Sequence, residues 1–221
     1  MSGRALWAAI LLVGASPAVA HGQWNLARLT PGESRMHLTT GVDPAVIPSI
    51  GYDRVTSLFG RTAQVGVEAG VVVGEADVHD FRARLSGQVQ LGRYRGLRLA
   101  ASAAAITRGT DNDLFRAVNF GADLGATGGF YRRGLFLAAE IGFDKAIITH
   151  LAHSQQYRDE NYAEAKDGWY LDNGGTWRFG VVSGMAIGRT ELMLRAGVPR
   201  TQGGESLPLP AYVSLGLGVR F

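Results

Sequence analysis

The chain ends, from Ala211 to Phe221, with the sequence AYVSLGLGVRF. Every second residue of this stretch is apolar, and this set consists of Ala211, Val213, Leu215, Leu217 and Val219. The residues between them are Tyr212, Ser214, Gly216, Gly218 and Arg220. Because successive side chains of a strand point to opposite faces, this strict alternation predicts a β-strand with one face in an apolar medium.

A terminal strand that ends on an aromatic residue, here Phe221, resembles the closing strand of bacterial outer-membrane β-barrels. The resemblance is to the small, porin-like barrels of this class, and at the level of architecture it covers nearly all of the mature chain. It implies that Phe221 belongs to the signal recognised by the barrel assembly machinery. It also implies that periplasmic chaperones are partners during export and that outer-membrane lipid surrounds the finished barrel.

The N-terminus has the pattern of a cleaved signal peptide, as expected for export in a Gram-negative bacterium. Arg4 supplies the positive charge, residues 5–14 form the apolar region, and Ala18-Val19-Ala20 matches a small-x-small cleavage site. The apolar region is too short to span a bilayer as a helix, which needs about twenty residues. The mature chain is therefore expected to begin at His21.

These patterns divide the chain into three parts. Residues 1–20 are the signal peptide, residues 21–32 a short periplasmic extension, and residues 33–221 the barrel. No later segment combines the length and the apolar character of a spanning helix, so a membrane location requires strands that form a closed barrel.

Composition narrows the function classes. The chain contains no cysteine, so an exported protein of this sequence must obtain its rigidity without disulfides. Its 31 glycines suit tight turns and crowded barrel walls. The formal charge is +3, and no basic cluster is interleaved with aromatic residues, which argues against nucleic acid as a partner. No pattern indicates a cofactor.

Nine further segments show the same alternation as the terminal strand. They lie at residues 35–42, 48–52, 64–73, 81–91, 97–107, 118–124, 135–143, 177–185 and 192–198. Many approach the length with which a tilted barrel strand crosses a bilayer. The predicted fold class is all-β, a closed antiparallel up-and-down transmembrane β-barrel of about ten strands, with about eight or twelve as alternatives.

The connections between these segments differ in length on the two sides of the barrel. Four short turns fall at one end, and the connections at the other end are longer, with a long external loop predicted at residues 146–175. Short periplasmic turns and longer external loops are typical of outer-membrane barrels. A soluble secreted β-barrel or sandwich would show the same alternation with its faces inverted, so periodicity alone leaves that alternative open.

The polar faces of the predicted strands carry charges of both signs that would point into the lumen. The predicted lumen charge network consists of Glu68, Arg82, Arg84, Arg98, Glu140, Arg178, Glu191, Arg195 and Arg220. Charges in a narrow space must pair or be hydrated, so Glu68 is expected near Arg82 or Arg84, and Glu191 near Arg178 or Arg220. The network either fills and stabilises the barrel or lines a narrow pore for small solutes.

The long loop carries the one weak candidate for chemistry. His150 and His153 are three residues apart and would share one face of a helical turn, but no third ligand is fixed by spacing, so no metal site is assigned. A hydrolase would need a nucleophile, a base and an orienting group in contact, and no catalytic residue is assigned.

The function expected from the sequence is that of an outer-membrane β-barrel envelope protein with a largely filled lumen and a structural or surface-interaction role. The first alternative is a narrow porin-like channel for small solutes. The second is a hydrolase with its site at the outer rim.

Overall fold

The computed structural model describes residues 24–42, 46–73, 80–172, 174–203 and 211–221. The described residues form one short 3-10 helix, Leu26–Arg28, and one α-helix, α1, Gln155–Glu160. They also form eleven strands: β1 Ser34–Val42, β2 Val46–Leu58, β3 Arg61–Val71, β4 Phe81–Tyr94, β5 Leu97–Asp111, β6 Phe115–Tyr131, β7 Leu135–His153, β8 Gly168–Leu171, β9 Thr176–Ile187, β10 Thr190–Thr201 and β11 Tyr212–Arg220. The expected signal peptide, residues 1–20, lies outside the described residues.

Ten of these strands close into an antiparallel barrel, in which each strand pairs with its neighbours in chain order. The exception is β8, which lies outside the ring and pairs only with the far end of β7. Closure comes from β1 and β11, which pair from Arg35 opposite Arg220 to Val42 opposite Val213. The predicted fold class and its count of about ten strands are thereby confirmed.

The two ends of the barrel differ. At the terminal end, where β1 begins and β11 finishes, the hairpin connections are residues 59–60, 95–96, 132–134 and 188–189. The first two use positive φ angles at both positions, which suits the twist of a tight hairpin. At the loop end, residues 112–114 join β5 to β6 in a short turn, but the connection from β7 to β9, residues 154–175, is much longer and contains α1 and β8.

Alternation along the strands sorts the side chains as the sequence predicted. In β11 the residues Tyr212, Ser214 and Gly216 are buried in the barrel, whereas Val213, Leu215 and Leu217 are exposed on its outside. The same pattern recurs in β2 and β7. An outer surface of Leu, Val and Ile around a buried polar interior suits a lipid surrounding, because a water-soluble protein places these classes the other way.

Aromatic side chains border this apolar surface at both ends. Near the loop end, the rings of Phe143 and Trp177 lie 4.7 Å apart between their centroids. Near the terminal end, the ring centroids of Tyr52 and Phe221 lie 6.4 Å apart. Two aromatic belts of this kind are typical of barrels whose walls cross a lipid bilayer.

Two local features differ from the sequence-based expectation. β7 continues to His153, so the connection predicted at residues 146–175 is shorter, because β6 extends beside it and supplies partners as far as Phe115. The segment predicted as a periplasmic extension, residues 21–32, turns back toward the barrel where it is described, and Trp24 is completely buried. Within the described residues, no helix has the length and apolar character needed to cross a membrane.

Candidate functional site

Polar and charged side chains from the barrel strands point into the lumen. These side chains alternate with the outward apolar residues, so the strand geometry alone directs them into the interior. The buried charged residues of the lumen are Arg35, Asp53, Glu68, Arg82, Arg84, Arg108, Asp123, Glu140, Asp144, Arg178, Glu191 and Arg195, joined by His37. Each is at most 7% exposed, so the interior holds matched charges that bulk water scarcely reaches.

At the centre of the lumen two aspartates and three arginines form one cluster. Asp123 of β6 lies 2.5 Å from Arg178 of β9 and 3.5 Å from Arg84 of β4. Asp144 of β7 pairs with Arg108 of β5, and its carboxylate lies 3.9 Å from Arg178. The cluster therefore joins five strands across the lumen, and each buried carboxylate has a guanidinium partner, as burial of charge requires.

A second cluster surrounds Glu140 of β7. Its Oε1 atom accepts a hydrogen bond from Nε of Arg195 on β10, and a second of 2.6 Å from the hydroxyl of Tyr212 on β11. The Arg195 guanidinium also lies over the Tyr212 ring, 5.6 Å from its centroid. This arrangement ties three strands together at a single carboxylate.

A third cluster centres on His37 of β1. Its Nδ1 lies 3.2 Å from Asp53 of β2, and its Nε2 lies 3.1 Å from Glu68 of β3. The imidazole ring also faces Trp24 at 5.4 Å between ring centroids. Both ring nitrogens are thus directed at carboxylates, which fixes the ring orientation between two strands.

Residues 24–29 of the N-terminal segment, called the plug, pack inside the terminal end of the barrel. Trp24 packs beneath Arg35, whose guanidinium lies 4.8 Å from the centre of the indole ring. The Asn25 backbone N–H donates to Glu191 at 2.5 Å, and its side-chain amide donates to the Arg132 carbonyl at 2.6 Å. The segment is therefore held both by ring packing and by hydrogen bonds to two different hairpins.

Apolar side chains of the wall pack with the plug. One buried cluster contains Trp24 and Leu26 of the plug and Ala100, Tyr131, Phe136, Ala138, Val182 and Met193 of the barrel. Glycines of β11 provide the space: a Cβ atom at Gly216 or Gly218 would lie 3.2 or 3.0 Å from the Trp24 ring. The plug and these wall residues together form an apolar layer, called the floor, at the terminal end of the barrel.

The predicted lumen network divides into two groups. Glu68, Arg82, Arg84, Glu140, Arg178, Glu191 and Arg195 are all buried inside the barrel. Arg98 and Arg220 are half-buried at the terminal end, where Arg98 donates to Gln90 at 2.9 Å and Arg220 to Glu33 at 3.0 Å. The described partners of Glu191 are Arg35 at 3.7 Å and Asn25, in place of the Arg178 or Arg220 that sequence suggested.

Arg108 and Trp24 are members of the lumen that lie outside the segments predicted as strands. Arg108 lies one residue beyond the segment 97–107 that was predicted as a strand. The buried residues of that segment are even-numbered, and Arg108 continues the same alternation into the interior. Trp24 lies in no alternating run, so nothing in the local pattern marks it as an interior residue. Its burial depends on the glycines of a strand almost two hundred positions away.

The two histidines of the predicted loop site do not come together. Both lie on β7, where residues three apart point to opposite faces, instead of on a helical turn. His150 packs edge-on against Trp169 at 4.9 Å between centroids, whereas Nδ1 of His153 lies 3.1 Å from Asp167. Among the described residues, no group of three His, Asp or Glu side chains has the proximity of a metal site.

The segment after β7 is ordered around Asp167. The His153 backbone N–H donates to this carboxylate at 2.8 Å, the His153 ring lies 3.1 Å away, and Arg158 donates at 2.8 Å. These contacts, the backbone bond first, lower the pKa of Asp167 to about 2. Ser154, next to His153, accepts from the Tyr157 N–H as the N-cap of α1, so its hydroxyl serves the helix.

No protein-family model matches the sequence, and no curated protein matches it. Among solved structures, an outer-membrane channel from Pseudomonas putida F1 is similar, with a TM-score of 0.52 and 12% sequence identity. The match covers 92% of this chain and 100% of that one. LpxR from Salmonella typhimurium has a TM-score of 0.33 and 8% identity over 84% of this chain and 99% of its own. In fold, this chain is an outer-membrane-type β-barrel.

Proposed function

We propose that the protein is an outer-membrane barrel of the cell envelope whose lumen is closed, and that it acts through its stable wall and its external loop. The observation that carries this proposal is the plug. Trp24 is completely buried, Leu26 is 2% exposed, and both belong to one buried cluster with Phe136 and Met193 of the wall. An apolar floor beneath a paired set of charges leaves little path for hydrated ions.

The surface of the barrel supports the location. The outward side chains are Leu, Val, Ile and aromatic residues, and such a surface is stable in hydrocarbon but promotes association in water. The similar fold of a solved outer-membrane channel agrees with this location. We infer that the terminal end faces the periplasm and that the loop end faces outward, following the usual difference in connection length.

The external segment offers a defined surface. α1 is capped by Ser154, and β8 is paired to β7 through Gly168 opposite Leu151. Trp169 and Leu171 are exposed there, at 57% and 77%. An ordered surface with exposed aromatic and aliphatic side chains is suited to contact with another envelope component, which is the surface role in this proposal.

A narrow channel for small solutes is the second candidate. The specific observation that favours it is that the plug is a short segment before β1, joined to the wall by side-chain packing and a few hydrogen bonds. Displacement of that segment would remove the apolar floor without opening any strand pair. The charges above it are balanced in sign, so the lumen itself offers no evident preference for anions over cations.

Conductance in planar bilayers separates the two candidates. We expect the refolded wild-type protein to show no steady conductance, and the variant Trp24→Ala/Leu26→Ala to show discrete openings because its floor is lost. Trp169→Ala is the matched control, since it removes an indole from the external segment and leaves the lumen intact. Steady conductance of the wild type at rest would contradict the closed barrel and would establish the channel.

Heat-modifiable gel migration should accompany these recordings. A folded barrel migrates differently before and after boiling, so the shift shows that each variant has closed its wall. A variant that conducts and still shows the migration shift has a closed wall and has lost its apolar floor. A variant that shows the shift but does not conduct would indicate that the charged clusters block the lumen without the plug.

A further inference from the structure

A hollow lies beside the plug at the terminal end of the barrel, outside the charged clusters of the lumen. Its volume is about 650 Å³, and it opens between the plug and the walls formed by β3 to β6. Five arginines line it: Arg93, Arg95, Arg98, Arg132 and Arg133. Thr30, Thr62 and Gln90 add polar side chains. No acidic side chain lines this hollow among the described residues.

Two of the arginines are held in direct opposition. Arg93 of β4 is the cross-strand partner of Arg98 of β5. This pairing results from a β-bulge, because the register shifts between Gln90 and Gly92, and without the shift Arg98 would face Gly92. Like charges directly opposite each other on one face of a sheet are unfavourable, so the bulge creates a repulsion that an anion between them would relieve.

Two of the other three arginines contact aromatic rings. The Arg95 guanidinium lies 5.4 Å from the Tyr94 ring centre, and the Arg132 guanidinium lies 5.0 Å from that of Phe130. Arg95 itself adopts a φ of 45°, which is uncommon for a residue with a side chain. Ring contacts position a guanidinium while leaving its N–H donors free for a ligand.

The nearby carboxylates are committed elsewhere. Glu33 binds Arg220 at 3.0 Å, and Glu191 binds Arg35 and the Asn25 backbone. The only described side-chain acceptor for Arg98 is the neutral amide of Gln90, and its buried Nε atom has no acceptor among the described residues. The charge of the five arginines is therefore not neutralised by protein groups in the described structure.

We propose that this hollow is a binding site for a phosphoryl anion, that is, a ligand carrying a phosphate or diphosphate group. Guanidinium forks match the geometry of phosphate oxygens, and charge-assisted bonds of this kind are among the stronger hydrogen bonds in proteins. A volume of about 650 Å³ accommodates more than the phosphate alone, so the ligand is a phosphorylated molecule whose other part contacts Leu26 and Leu29 of the plug.

The phosphoryl group could come from a soluble compound or from the headgroup of an anionic phospholipid in the adjacent leaflet. Binding of inorganic pyrophosphate to the full-length folded protein in non-ionic detergent tests the shared chemistry by calorimetry. At about 0.1 M salt, where the Debye length is about 10 Å, we expect saturable binding at one site per chain.

The matched variants each remove two arginine charges from the same end of the barrel. Arg93→Gln/Arg98→Gln should weaken pyrophosphate binding roughly tenfold or more, because charge-assisted contacts are lost. Arg61→Gln/Arg189→Gln should leave the affinity within roughly threefold, because these arginines lie outside the hollow and contribute only screened charge. Heat-modifiable migration checks that both variants fold.

Nanodiscs distinguish the two sources of the ligand. If a phospholipid headgroup occupies the hollow, pyrophosphate will bind more weakly in phosphatidylglycerol discs than in phosphatidylcholine discs; if the ligand is soluble, the two affinities will agree. Absence of saturable binding in detergent would overturn the proposal. Equal losses in the two double variants would also overturn it, since they would indicate a diffuse positive surface without a site.

Discussion

Gly129 illustrates how closely neighbouring strands approach inside this barrel. It lies on β6 directly opposite Ala138 of β7, near the terminal end. A Cβ atom at this position would overlap the backbone of Leu137 and Ala138. Gly87 of β4 differs, because a Cβ atom there would meet nothing within 4 Å. The two positions hold the same residue type, but only Gly129 lacks space for a side chain.

We expect Gly129→Ala to lower the free energy of unfolding by about 1–3 kcal/mol, since the added methyl group forces two strands apart. Gly87→Ala should leave it unchanged or raise it by up to about 1 kcal/mol, because alanine restricts the unfolded chain more than glycine does. Urea unfolding of the refolded protein in lipid vesicles measures both. Equal destabilisation by the two substitutions would contradict the contact at Gly129.

Asp167 controls the acid stability of the external segment. Its folded pKa of about 2 lies below the usual value of 3.8, so the folded state favours the carboxylate. Its contribution to local stability is complete above the usual pKa and disappears as the pH falls from about 4 through about 2. The backbone and ring of His153 and the Arg158 guanidinium supply this preference.

We predict that the Asp167 carboxyl group titrates near 2 in an NMR titration of the micelle-bound protein. Arg158→Gln should move the midpoint upward, because one of the donors is removed. Asp167→Asn should make residues 154–167 more susceptible to protease at neutral pH and should abolish the change between pH 4 and pH 2. A wild-type midpoint at the usual value would show that the contacts around Asp167 do not persist in solution.

At the level of elements, Glu140 joins β7 to β10 and β11. Removal of this carboxylate would leave Arg195 and the Tyr212 hydroxyl without their shared acceptor in a buried space. The pair formed by Arg116 and Asp111 at the loop end provides a contrast, because the Arg116 side chain is 56% exposed. The two pairs differ in burial far more than in chemistry.

We expect Glu140→Ala to lower the free energy of unfolding by about 3–5 kcal/mol, the usual effect of leaving a buried charge unpaired. Arg116→Ala should change it by less than about 1 kcal/mol, as exposed ion pairs contribute little. The measurement is again urea unfolding in vesicles. A double variant Glu140→Ala/Arg195→Met should recover part of the loss, and failure to recover would assign the effect to packing instead of charge.

The strands themselves were predictable because lipid and lumen impose opposite demands on neighbouring residues. The apolar side chains of Leu215 and Leu217 mark the lipid-facing side of their strand. The charged side chains of Arg178 and Arg195 mark the lumen-facing side of theirs. The bulge at Gln90–Gly92 was not predictable, since it changes the phase of a strand without altering its composition. β8 was also missed, because Gly168–Leu171 is short, carries no alternation, and depends on an extended β7 for its only partner.

The two ends of the barrel differ in charge as well as in the length of their connections. The terminal end carries Arg28, Arg54, Arg61, Arg93, Arg95, Arg98, Arg132, Arg133, Arg189 and Arg220. The loop end carries most of the described acidic residues outside the lumen, namely Asp80, Asp111, Asp113, Asp159, Glu160, Glu164, Asp167 and Asp172. The two rims would therefore meet different surroundings on the two sides of a membrane.

Cysteine labelling tests the orientation without background, since the chain has no cysteine of its own. We expect Ala163→Cys, in the external segment, to react with a membrane-impermeant maleimide in intact cells. Arg189→Cys, in a turn of the terminal end, should react only after the outer membrane is opened, because short turns face the periplasm. The reverse labelling pattern would invert the proposed orientation.

β8 pairs with β7 from Ile148 opposite Leu171 to Leu151 opposite Gly168, beyond Asp144, where the pairing of β7 with β9 ends. A protruding strand with unpaired backbone groups is a template for edge-to-edge association with other chains. The four residues of β8 occupy that template from within the same molecule. The external segment thereby covers the free edge of β7 from Ile148 to Leu151 and leaves in its place the shorter outer edge of β8.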